Sequence, residues 1–365
     1  MVQPLLIGRH NSPARRAALI VLVIVLHAAS AGASKVRKEP AAPPPPDLLL
    51  EGGRRLSYER SFSSEREVRG KPGFLSRVVN FIAGEAETHG LVRPYSIAVD
   101  SRGRAIVTDP GAGGVHIFDF ARNKYKFIER WEKSKDPMLA PQCVALDEQD
   151  NIYVTDSEAG KIFVFNAEGK YRRVIGSLRG GEGYFKRPTG IAVDAAAERI
   201  YVTDTLRNKI VVLDFAGKVL QTIGQRGESA GEFNYPTELL LRGQDLVVVD
   251  AMNFRVQFLD RRGVVRNSIG RNGDTSGDMF RPKGIGMDSE GHYYVADGLW
   301  GVVQVFDREG RLLYYFGKRG TAAGDFQLPT GLFIDRDDRV FVVDSYNRRI
   351  QVFRYYGAGT RGAGQ

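Results

Sequence analysis

Between residues 93 and 344 one pattern recurs six times. A segment like RPTGIAVD opens each unit, beginning at Arg93, Ala140, Arg187, Tyr235, Arg281 and Leu328. A second β-rich run follows and ends in Asp109, Asp156, Asp204, Asp250, Asp297 and Asp344. These aspartates stand 47, 48, 46, 47 and 47 residues apart. A fixed period in the forties, with several short strands per unit, marks blades arranged around an axis. Composition agrees: 42 glycines with 20 Phe and 15 Tyr in 365 residues suit short strands joined by tight turns.

The third unit shows the expected strands: a, IAVD at 191–194; b, IYVTD at 200–204; c, KIVVLD at 209–214; and d, KVLQTIG at 218–224. Their apolar residues alternate or run continuously, as in stacked sheets buried on both faces. The loops between units read GEGYFKRP, AGEFNYP, SGDMFRP and AGDFQLP. Phe185, Phe233, Phe280 and Phe326, with Leu91 and Met138 in the first two units, are expected as wedges between blades. The last unit stops after RIQVFRYY, without a strand d. The segment SRVVNFIAG, 76–84, reads as an orphan strand d that completes the last blade and removes the exposed edges. The expectation is an all-β, six-bladed β-propeller of four-stranded blades over residues 74–357, closed by an N-terminal strand, with a glycine-rich tail at 358–365.

The N-terminus is of another kind. Residues 1–16 carry only positive charge, and AALIVLVIVLHAASAGAS follows at 17–34. A basic start, an apolar run and small residues at Ala31 and Ala33 fit a signal peptide over 1–33; an uncleaved membrane anchor is the rival. A Pro-rich linker, 34–73, contains PPPP, which favours extended polyproline II and suits a spacer. Within it, Leu56, Tyr58 and Phe62 alternate as in an edge strand, with a polar linker as the other reading. The chain is therefore expected outside the cytoplasm, periplasmic or extracellular, with membrane tethering through 17–34 as the rival to cleavage.

Units such as DSYNRRIQVF (344–353), TDTLRNKIVVL (203–213) and DAMNFRVQFL (250–259) resemble the NHL repeat. The resemblance is to the six-bladed NHL propeller family, in a bacterial, exported form. It implies the fold and leaves the function open: such propellers serve as protein- and RNA-binding platforms, as sensor domains and as amidating lyases. One cysteine excludes a RING or B-box partner domain and any Cys-based zinc site. The lyases hold zinc with several histidines on central loops. Here only His89, His116 and His292 lie in the propeller, with His116 in a strand c and His292 in an a–b turn. Six-bladed lactonases use calcium held by Glu, Asn and Asp around the channel, chemistry that needs hard oxygen ligands only, of which this sequence offers a poor set.

The repeated aspartates end strand b and enter a tight turn, where Asp accepts backbone N–H bonds. With a basic residue five positions on (Lys161, Lys209, Arg255, Arg349) they read as structural clasps. The start of strand a faces the axis, with small residues in most blades. Glu238 and Cys143 are the exceptions, and Lys283 lies one blade from Glu238, so a Glu238–Lys283 ion pair is expected at the channel mouth. Cys143 reads as a buried small hydrophobe. The b–c turns differ between blades and carry Arg207, Met252, Phe254, Trp300, Tyr346 and Arg348, residue types that form binding hot spots; burial between blades is the competing reading.

The net charge of +9, about +6 without the N-terminal arginines, is compatible with an anionic partner and requires none. The leading expectation is a non-catalytic scaffold, monomeric, for a protein, peptide or polysaccharide, with no cofactor. Export argues against nucleic acid. The alternative is a calcium- or zinc-dependent lyase or lactonase-like hydrolase at the channel mouth, using Glu238 and turn aspartates.

Overall fold

The computed structural model describes residues 43–69, 88–129 and 137–358. Six antiparallel sheets follow one another along the chain. Blade 1 is built from Ser96–Val99, Ala105–Asp109, Gly114–Asp119 and Lys124–Ile128, and blade 2 from Pro141–Leu146, Ile152–Asp156, Lys161–Phe165 and Tyr171–Ile175. Blade 3 takes Pro188–Asp194, Arg199–Asp204, Lys209–Asp214 and Val219–Ile223, and blade 4 Pro236–Arg242, Asp245–Asp250, Arg255–Asp260 and Val265–Ile269. Blade 5 takes Pro282–Met287, Tyr293–Asp297, Val302–Phe306 and Leu312–Phe316. Blade 6 has Pro329–Ile334, Arg339–Asp344 and Arg349–Tyr356 as strands a to c.

Strand d of blade 6 is Arg55–Phe62, which pairs antiparallel with Arg349–Tyr356 and carries Leu48–Leu49 on its outer edge. An N-terminal strand thus closes the ring as expected, but it is this one. The stretch at 76–84 lies outside the described residues, and the blade's d position is already filled. The ring's own strands therefore begin inside the stretch expected as linker. Phe62 explains the choice: it is buried against Phe118, Val343 and Ile350, between the last blade and the first. The chain then turns through a short helix, Glu65–Arg69, and returns to blade 1 through N–H bonds from Leu91 to Ser63 O and from Glu65 to His89 O. On the inner side, the Gly331 N–H and Thr330 hydroxyl of blade 6 both donate to Tyr95 O of blade 1.

The apolar clusters lie between neighbouring blades. The wedge stands three residues before the proline: Leu91, Met138, Phe185, Phe233, Met279 and Phe326, all buried. In blade 5 that residue is Met279, and Phe280, expected as the wedge, is exposed one position further on. Spacing to the proline decides it, not aromaticity. Each buried wedge contributes roughly 2 kcal/mol. It packs against the glycine that ends strand d: at Gly224 (φ +82°) a Cβ would lie 2.3 Å from the Phe233 ring.

All six repeated aspartates are fully buried. Asp109 accepts N–H bonds from Val92, Arg93 and Ala112. Asp156 accepts from Leu139, Ala140, Glu158 and Ala159. Asp297 accepts from Phe280, Arg281, Leu299 and Trp300. Each carboxylate so ties the incoming loop to its blade's b–c turn. In blades 4 and 6 side-chain donors replace some of these backbone ones. Asp344 accepts from the Gln327 N–H, Asn347 Nδ2, Arg349 Nε and Gln351 Nε2, and Asp250 has the same set around Asn253, Arg255 and Gln257. Replacing Asp344 with Ala strands these donors in the interior. We expect a loss of about 3 kcal/mol or more in urea unfolding; a loss below about 1 kcal/mol would show that blade 6 is held elsewhere.

Candidate functional site

The channel has two mouths. On the side of the a–b turns lies a cavity of about 700 Å³, walled by Leu240, Leu241, Met287 and Phe333. Its acids are engaged: Asp100 binds Arg104, Asp288 binds His292 and Tyr294, Asp335 binds the Arg339 N–H, and Asp338 binds Ser289. On the opposite side, where the b–c turns and the incoming loops meet, lies a cavity of about 400 Å³. Arg93, Arg187, Arg281, Lys283, Tyr95 and Tyr346 line it, and Glu158 is its one acid.

Local structure explains who points there. In blades 2 to 6 the register slips within strand a, just after its first residue, the proline. Such a bulge re-aims the residues inside it. Gln142, Lys283 and Thr330 stand in these slips and line the cavity. The three arginines come from the position before the proline in blades 1, 3 and 5. Their backbone N–H groups are held by Asp109, Asp204 and Asp297 at 3.0, 3.0 and 3.2 Å. Among the described residues none of Arg93, Arg187, Arg281 and Lys283 makes an ion pair. Lys283 Nζ lies 5.7 Å from the Tyr95 ring centroid. Burial, with Arg281 and Arg187 nearby, lowers Lys283 to about 8. Burial also drives the Tyr95 hydroxyl well above its ordinary value.

One residue further along strand a stand Ser96, Cys143, Gly190, Glu238, Gly284 and Gly331. The glycines let the inner strands approach: a Cβ on Gly190 would lie 2.7 Å from Glu238 Cα. Glu238 does not pair with Lys283. Its Oε2 instead accepts from the fully buried Cys143 Sγ, 3.3 Å away and two blades off. Cys143 is thus buried, as expected, and also a donor. Threonines stitch this level together: Thr155 and Thr203 each accept the N–H of their own strand a (Cys143, Gly190) and donate to the next blade at Thr189 O and Thr237 O.

Burial pushes the Glu238 carboxyl up to about 7, opposed by its bonds from Cys143 and the Leu239 N–H. Between its ordinary 4.5 and about 7 the native chain keeps a proton that the unfolded chain has released. Stability therefore falls as pH rises through that window, by up to about 3 kcal/mol. Glu238→Gln should abolish this slope, gaining on the parent as pH rises from 4.5 to 8 in urea unfolding. A constant difference between the two would place the Glu238 titration elsewhere.

Of the six residues expected on the b–c turns, Tyr346 alone lines the mouth. It is 57% exposed and Met252 48%, and Arg348 is exposed beside Tyr346. Arg207 is exposed but bonded to Tyr184 O and Asp204. Phe254 is half-buried against the cluster between blades 4 and 5, and Trp300 is half-buried. Sequence reasoning misses the mouth arginines as a charge cluster, although their signal, R-P at the head of units one, three and five, stands in the repeat itself. The histidines are dispersed: His116 Nδ1 lies 2.8 Å from the Tyr125 hydroxyl, and His292 Nδ1 lies 2.9 Å from Asp288, which raises its pKa. Among the described residues no three His, Cys, Asp or Glu side chains are grouped to hold a metal. Nor is any helix among them long and apolar enough to cross a membrane; residues 17–34 lie outside them.

A family model described as a 6-bladed beta-propeller matches residues 144–222 and 192–260, and the NHL repeat model matches 326–353. The chain is a six-bladed β-propeller that carries an NHL repeat at 326–353. No curated protein matches its sequence. Among solved structures the propeller is similar to a Bacteroides thetaiotaomicron protein of unknown function (TM-score 0.60, 14% identity, 83% of this chain and 76% of that one). It is also similar to virginiamycin B lyase from Staphylococcus aureus (0.52, 16%, 74% and 86%). An auxiliary nutrient binding protein from Bacteroides thetaiotaomicron is a third (0.55, 14%, 73% and 70%). At these identities the likeness is one of fold.

Proposed function

We propose that this propeller is a non-catalytic binding scaffold outside the cytoplasm, exported or anchored through residues 17–34 and spaced by the Pro-rich stretch. It presents the b–c-turn face to a protein, peptide or polysaccharide. The observation that carries this reading is the contrast between the two faces. On the a–b side the acids already have partners, and Arg242 and Arg336 are the cavity-lining cations without an ion pair among the described residues. On the b–c side, exposed Met252, Tyr346 and Arg348 share the face with a mouth, lined by Tyr346, whose four cations have no ion-pair partner among the described residues. A nutrient binding protein of similar fold supports the reading without identifying a ligand.

The lyase of similar fold keeps a second reading open. It would use Glu238, the one carboxylate at this position near the start of a strand a. That carboxyl already accepts from a thiol and is held near neutrality, which suits a buried structural group as well as a general acid or base.

The test is binding of the full-length chain to glycan and peptide arrays, with and without added calcium or zinc. Met252 and Tyr346 are the residues to change, because half-buried Phe254 and Trp300 would confuse binding with folding. The Met252→Ser, Tyr346→Ala variant should keep the parent melting temperature and lose about tenfold or more of its affinity for the array ligand. Unchanged affinity overturns the assignment of the face, and turnover of an array ligand that depends on metal and on Glu238 would establish the second reading.

A further inference from the structure

We propose that the channel mouth on the b–c side is an oxyanion site, taking a phosphate or sulfate group, free or carried on a sugar, between Arg93, Arg187, Arg281 and Lys283. This rests on the reading of the propeller as a binding module and names the chemistry of its ligand.

Symmetry of the ring brings the groups together. The position before the proline is arginine in blades 1, 3 and 5 and Ala140, Tyr235 and Leu328 in blades 2, 4 and 6. Arginines on alternate blades approach one axis from three sides. Lys283 enters between them from the register slip of blade 5.

Elsewhere this chain neutralises several of its less exposed arginines, although Arg242 and Arg336 line the other cavity without an ion pair among the described residues. Arg104 pairs with Asp100, Arg255 with Asp250 and Arg349 with Asp344. At the mouth four cations face one another and one exposed acid, Glu158, which pairs with none of them among the described residues. Lys283 holds its proton less tightly than an ordinary lysine, first because it is buried and then because Arg281 and Arg187 are near. An anion seated there relieves the repulsion among the four cations. Guanidinium groups offer paired N–H donors that match phosphate and sulfate oxygens, and the ammonium adds a compact charge.

The backbone of the mouth is also preorganised. Each arginine is anchored at its backbone N–H by a buried aspartate, which fixes where the side chain starts, while the exposed guanidinium itself is ordered on binding. A cavity of about 400 Å³ admits a sugar bearing one such group.

Calorimetry on the full-length chain at fixed ionic strength tests this, with inorganic phosphate, inorganic sulfate and glucose 6-phosphate as probes and chloride as the background anion. At least one probe is expected to bind with Kd below about 1 mM. Arg187→Gln with Arg281→Gln should weaken it by about tenfold or more, as should Lys283→Met. Arg122→Gln with Arg262→Gln, on other turns, should leave it unchanged. Melting temperatures close to the parent's show that the variants are folded. Glucose 6-phosphate binding well above inorganic phosphate assigns a sugar-borne group; equal binding assigns the free ion. No binding by any probe overturns the proposal, as does equal loss in the Arg122, Arg262 control. The two readings separate cleanly: array binding that depends on Met252 and Tyr346 but not on Arg187 and Arg281 keeps the scaffold and removes the oxyanion site. Probe binding at the mouth with no array ligand does the reverse.

Discussion

One buried carboxylate per blade holds this ring together. It sits where strand b ends, out of water, and collects the N–H groups of two loops that would otherwise end unsatisfied. A charge buried this completely survives only when it is richly hydrogen-bonded. Because the same loops form the b–c face, the group that secures the fold also fixes the geometry of the surface above it. The mouth arginines are the direct case: their backbone is held by the aspartates, which leaves their side chains free of structural duty.

The channel follows the opposite rule. Where strands a converge, most blades use a small residue, and at Gly190 there is no room for a Cβ. Blade 4 breaks the pattern with Glu238, and the ring accommodates it by giving it the thiol of Cys143 from two blades away. The expected salt bridge to Lys283 is absent because that lysine turns towards Tyr95 and the mouth. Two charged residues near each other in the repeat pattern thus serve different levels of the channel.

Closure depends on a contact that sequence order conceals. Arg55–Phe62 and 76–84 are both short apolar-patterned segments upstream of the first blade, and either could supply an edge. Phe62 settles the matter by filling the gap between the last and first blades, and the following turn delivers the chain to blade 1. The wedge positions teach a similar lesson on a smaller scale: Met279 and not Phe280 fills the slot, because distance from the proline fixes which side chain points inward.

What the sequence determined by itself was everything local and repeated: strand order within a blade, the turn aspartates, the missing last strand and hence a ring of six. Each follows from spacing of a few residues, which a linear reading measures well. The tertiary structure decided what depends on residues far apart in the chain meeting around an axis. The pairing of Cys143 with Glu238, the latch at Phe62 and the gathering of Arg93, Arg187 and Arg281 belong to that class. Alternation along the repeats becomes a cluster only once the ring has closed, because closure turns a period along the chain into a shared centre.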